Sequence, residues 1–146
     1  MTAWEDIVGA VQLSLGGQRE RGRRQLEACW SGTVPDDHAQ RCVLAHYLAD
    51  TQDDLDDEIG WDETALHEFA HVGEHELSTI GIASAAGLAP SLHLNLGDGY
   101  ARRGDVAPAR AQLALARSTL AVLPDDGYGQ MIRRGVDGLA ERLAGG

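Results

Sequence analysis

Lysine is absent from this 146-residue chain, and all twelve cationic side chains are arginine. Twenty-three Asp and Glu residues oppose them, for a formal net charge of −11. Without a basic surplus there is little to displace counterions from a phosphate backbone, which excludes general nucleic-acid binding. The same balance excludes adsorption to an anionic membrane. It keeps the chain soluble and favours a cationic partner. Cysteine is also scarce. Cys29 and Cys42 are the only two, too few for a disulfide framework or a thiolate metal cluster. Each falls on an apolar helical face, where a buried free thiol is expected. Aromatics are few: one Phe, three Tyr and three Trp. Leu, Ala, Val and Ile must therefore fill the core, a composition suited to close-packed helices rather than sheets. No apolar run reaches the roughly 18 residues of a membrane span. Met1 to Glu5 shows no basic stretch leading into an apolar one, so the expected location is the cytoplasm.

What is present is helical periodicity. Trp4, Ile7, Val8, Val11 and Leu15 paint one stripe, ended by Gly16-Gly17. A second helix runs from about Arg19 to Trp30, with Leu26, Cys29 and Trp30 inward. Asp36-Asp37 opens a third, where acids suit the N-terminal dipole, with Ala39, Val43 and Tyr47 as its stripe. A turn near Thr51–Asp53 leads to a fourth, striped by Leu55, Ile59, Asp62, Leu66 and Phe69. Residues 71–90 are broken by Gly73, Gly81 and Gly87, and a short helix over about 74–86 is expected there. Ser91 is a candidate cap for a helix marked by Leu92, Leu96 and Tyr100 and stopped at Gly104. Val106, Ala109, Leu113, Ala116, Leu120 and Leu123 follow a three-four rhythm. After the Pro124–Gly127 turn cluster, Tyr128, Ile132, Val136, Leu139 and Leu143 mark a last helix. No segment alternates as a half-buried strand would.

Two helices joined by a Gly-Asp turn recur. In the clearest unit, Pro90 to Ala121, Leu96, Gly97 and Tyr100 form a Leu-Gly-x-x-Tyr element. Gly104-Asp105 forms the turn, and Ala109, Leu113 and Ala116 follow in the second helix. This unit resembles a tetratricopeptide repeat, with His93 where Trp is common and the closing proline displaced to Pro124. Weaker copies precede it. Leu44, Ala45, Leu48 and Trp61 belong to a middle unit, and Ala10, Leu13, Gly17, Gly22, Leu26 and Cys29 to a first. The resemblance implies an all-α fold: one domain over 1–146, with antiparallel helix pairs at about 3–31, 36–70 and 91–123 in a superhelix. Residues 71–90 are an insertion, and a capping helix at 127–143 closes the array.

The family binds proteins or peptides in a concave groove lined by the first helix of each pair. Carried over by position, the groove residues are Ala39, Cys42, His46, Ala49 and Asp50 in the middle unit and Ser91, Leu94, Asp98, Ala101 and Arg102 in the last. Asn95 falls where clamp-type members hold a peptide carboxylate; such clamps also use lysines, which this chain lacks. The resemblance thus implies a binding scaffold rather than an enzyme, with no required cofactor.

One motif suggests other chemistry. His67-Glu68-Phe69-Ala70-His71 reads H-E-x-x-H, in which two His one turn apart bind zinc and Glu activates its water. If the helix continues, His75 joins His67 and His71 at i, i+4, i+8 as a surface metal site. At about 100° per residue all three fall on the outward face, where a solvated surface is the simpler reading. The Asp53–Glu58 run lacks the glycine and terminal Glu of a calcium loop and reads as an acidic helix N-terminus. Arg19, Arg21, Arg23 and Arg24 form a basic cluster able to pair with that run or with another copy. The expectations are therefore a scaffold for a protein or peptide partner, with a zinc hydrolase and a self-associating module, for example a homodimer, as alternatives.

Overall fold

The computed structural model describes residues 1–145. Among them are seven α-helices, three short 3-10 turns and no strand. The chain divides into two compact units, 1–83 and 84–146, with the border inside the 71–90 stretch.

The first unit holds α1 (Trp4–Leu15), α2 (Arg19–Ser31), α3 (His38–Ala49) and α4 (Leu55–Phe69). Helices α1 and α2 form one antiparallel pair, α3 and α4 the next, and α3 also packs on α1 and α2. Gly17 turns the chain between α1 and α2 at φ +92°, a left-handed conformation that glycine adopts without strain. Gly22 lets the two rods cross closely: a Cβ there would lie 2.6 Å from the Ser14 backbone nitrogen. Trp30 of α2 meets Trp61 of α4 edge to face, with ring centroids 5.0 Å apart. The Asp54 carboxylate accepts the Asp57 N–H and caps α4.

Beyond α4 the expected 74–86 helix does not form. Its glycines each cost about 1 kcal/mol in a helix, and Gly81 sits at φ +87°. A 3-10 turn at Ser78–Ile80 returns to α1 instead, with Leu77 fully buried beside it.

The second unit begins with a 3-10 turn at Ala85–Leu88 and continues through α5 (Ala89–Arg103), α6 (Val106–Thr119) and α7 (Gly127–Ala144). Helix α5 starts before Ser91, with Pro90 in its first turn, where the missing N–H costs nothing. The Ser91 hydroxyl instead donates to the Leu88 carbonyl from inside the helix. Gly104 closes α5 at φ +90°. Helix α6 tightens into a 3-10 turn at Leu120–Val122 before Pro124. Helix α7 packs on both α5 and α6. Its Ile132, Val136, Leu139 and Leu143 share a core with Ala109, Leu113, Ala116 and Leu123. At Gly97 a Cβ would lie 2.9 Å from Leu139 Cδ2, 3.3 Å from Gln112 Cβ and 3.5 Å from the Ala109 carbonyl. The small residues at the α5–α6 crossing thus also admit α7.

Candidate functional site

Helix α3 is the central rod of the first unit, and nine of its twelve residues are buried. Cys42 and His46, both expected in a groove there, lie inside instead. Cys42 is fully buried and His46 nearly so, because α1, α2 and α4 all pack around the helix that carries them. Asp50 alone of the three reaches solvent. Burial pushes the Cys42 thiol up to about 12, with Glu68 adding to the effect, so it is no nucleophile at neutral pH. Desolvation holds His46 down to about 4, and its Nδ1 has no hydrogen-bond partner among the described residues. Asp50 is exposed, yet desolvation and then Glu58 raise its carboxyl to about 6.

In the second unit the corresponding positions face α7. Leu94 lies where a Cβ on Gly135 would collide with it, 2.7 Å away. One oxygen of Asp98 accepts from Arg102 Nε at 2.9 Å and the other from Arg142 Nη2 of α7 at 2.7 Å. Asn95 is half-buried and Arg102 exposed. Helix α7 therefore covers part of the face that Leu94 and Asp98 share.

The other cluster gathers where α3 begins and α4 ends. His67 is exposed, as its rotation about the helix axis predicts, and His71, beyond the end of α4, is exposed as well. Glu68 between them turns inward, is only 8% exposed, and its Oε2 lies 2.6 Å from His38 Nδ1. His38 and His71 stack with ring centroids 4.6 Å apart and planes 29° off parallel. His67 approaches His71 edge-on, with centroids 5.9 Å apart. His75 does not join them through the helix. Helix α4 ends at Phe69, so the i+8 register is lost, and His75 Nδ1 lies 3.2 Å from the Ala83 carbonyl oxygen. Among the described residues, no group of three or more His, Cys, Asp or Glu side chains is placed to hold a metal ion.

Two consequences follow for the H-E-x-x-H motif. A metalloprotease Glu must reach a water on the ion held by its two histidines; Glu68 instead reaches into the α3 interface and binds His38. Conversely, His38 is a member of this cluster that no linear motif contains. Its signal was the hairpin itself: His38 and Glu68 each stand fifteen residues from Asp53 in the α3–α4 turn, so antiparallel rods bring them level.

Charge is divided unevenly along the chain. Residues 1–83 carry five arginines against seventeen Asp and Glu, a net of −12. Residues 84–146 carry seven arginines against six acids, a net of +1. In the first unit, Asp50, Asp53, Asp54, Asp56 and Asp57 are all exposed. Arg19 answers Asp53 at 2.6 Å and also donates to the Gln52 carbonyl. No family model, no curated protein and no solved structure matches this chain.

Proposed function

We propose that this chain is a helical-repeat scaffold of tetratricopeptide-like kind that binds a cationic protein or peptide. The contact surface in this reading is the acidic α3–α4 end of the first unit, not a fully open concave groove. One observation carries it: five arginines cannot neutralise the seventeen acids of that unit, and Asp50, Asp53, Asp54, Asp56 and Asp57 are all exposed. A field of one sign over a surface draws oppositely charged partners and speeds their association. The repeat reading is supported by left-handed glycines at the equivalent turns Gly17 and Gly104. Close crossings at Gly22 and Gly97 support it as well.

The test is fluorescence anisotropy with an arginine-rich helical peptide and a neutral peptide of equal length. Capture is expected for the first alone, weakening steeply between low and physiological salt as exposed charges are screened. An Asp50→Arg/Asp56→Asn/Asp57→Asn variant should bind at least tenfold more weakly. An Asp98→Arg variant of the second unit should not change affinity. Equal affinity for both peptides, or an unchanged acidic-end variant, would remove this surface from the function.

A further inference from the structure

The histidines at the α3–α4 junction have no part in the binding surface just described, and their arrangement has a chemistry of its own. Glu68 accepts from His38 Nδ1 at 2.6 Å. In the neutral ring, this contact puts the proton on Nδ1 and leaves Nε2 as the lone-pair nitrogen. A carboxylate holding the far nitrogen of an imidazole is the usual support behind a metal-binding histidine; it orients the ring and raises its basicity. His71 lies against His38, and His67 against His71.

The spacing suits a shared ion. With a zinc–nitrogen bond of about 2.1 Å, two imidazoles at a tetrahedral angle have ring centroids roughly 5.2 Å apart. The two observed separations, 4.6 and 5.9 Å, bracket that value. The rings are stacked or edge-on as they stand, so His71 must turn out of its stack to point a nitrogen at the same place as His38. Both His67 and His71 are exposed, so the rotation gives up the ring contacts with His38 and His67 but meets no packed core. The two helix dipoles at the junction oppose each other, since α4 ends there and α3 begins. Charge assists through the unit as a whole, which carries a net charge of −12.

We infer that His38, His67 and His71 form a binding site for a borderline divalent transition-metal ion, with Glu68 as the positioning residue behind His38. The site draws one ligand from the start of α3, one from the last turn of α4 and one from just beyond it, and so clasps that hairpin at its open end. It differs from the linear triad His67, His71 and His75 in exchanging His75 for His38. Imidazole donors select zinc, copper, nickel or cobalt rather than magnesium or calcium.

Zinc alone is the probe. Titration of the full chain, followed through the ring C–H resonances of its six histidines, should move His38, His67 and His71 together by one equivalent. His46, His75 and His93 should stay in place. In calorimetry, His38→Ala should weaken zinc binding at least tenfold, and Glu68→Gln by about 10–100-fold through the lost ring support. His75→Ala should stay within twofold. Circular dichroism of each variant separates a lost ligand from a lost fold, and the resonance experiment needs no variant at all. No resonance movement at one equivalent overturns the site. So does zinc that shifts His75 with His67 and His71 while leaving His38 unmoved.

Discussion

The close crossing of α1 and α2 offers a sharp test of the packing, because two glycine-to-alanine changes in the same unit should have opposite signs. At Gly22 an ideal Cβ lies 2.6, 2.7 and 2.8 Å from the nitrogen, Cα and Cβ of Ser14. Two of these are backbone atoms, which cannot swing aside. Ordinary contacts are 3.5–4.0 Å, so the helices must part by roughly 1 Å. Overpacking of this kind costs about 1–3 kcal/mol. Alanine recovers about 1 kcal/mol through better helix propensity. Since the backbone must move, the cost belongs at the upper end, and Gly22→Ala should lose about 2 kcal/mol net. Gly60, exposed within α4, has nothing within 4 Å of its Cβ position. There only the propensity term acts, and Gly60→Ala should gain about 1 kcal/mol. Trp4, Trp30 and Trp61 all lie in residues 1–83 and none beyond, so tryptophan fluorescence in urea reports the first unit alone. With a slope of about 2 kcal/mol per molar urea, the midpoint should fall by about 1 M for Gly22→Ala and rise by about 0.5 M for Gly60→Ala. A Gly22→Ala midpoint at or above that of the parent chain would refute the close crossing, and with it the pairing of α1 and α2 inferred from Gly17 and Gly22.

Two further outcomes follow from buried titratable groups. The unfolded imidazole of His46 protonates near 6.5 and the folded one only near 4. The unfolded state therefore binds more protons in that window, and stability present above pH 6.5 is lost as pH falls, by roughly 3 kcal/mol at pH 4. Asp50, raised to about 6, slopes the other way, though solvent screens this exposed group. The measurement is thus the difference between the parent chain and His46→Leu in urea at pH 7 and pH 4.5; an unchanged difference would place His46 in contact with water. Cys29 and Cys42 are buried free thiols with raised pKa values. A thiol-disulfide reagent should label neither in the native chain at neutral pH over minutes, and both in urea. Fast native labelling of Cys42 would show that α3 opens.

Periodicity alone determined that the chain is helical, and where its long rods run. Apolar side chains recurring every three or four residues bury only on one face of a helix, so the stripes of α1, α6 and α7 are local statements. Gly17 and Gly104 were equally local, because a left-handed turn after a periodic run asks for glycine. The outward facing of His67 followed from rotation about one axis. The broken 71–90 stretch was legible as irregular, but not as two 3-10 turns, one of them returning to α1. That path depends on a burial site for Leu77, which residues distant in sequence provide.

Tertiary structure decided everything that needed two helices at once. The resemblance implies groove positions for Cys42 and His46. They become core because α1, α2 and α4 close around that rod, and burial is a property of neighbours rather than of a stripe. The same holds for Asp98, whose accessible face is taken by Arg142 of α7 forty-four residues away. Glu68 looked like the water-activating member of a linear motif until the antiparallel return of α3 set His38 beside it. A sequence specifies which way a side chain leaves its own helix axis; only packing specifies what stands there to meet it, and hydrogen bonds and pKa values depend on what it meets.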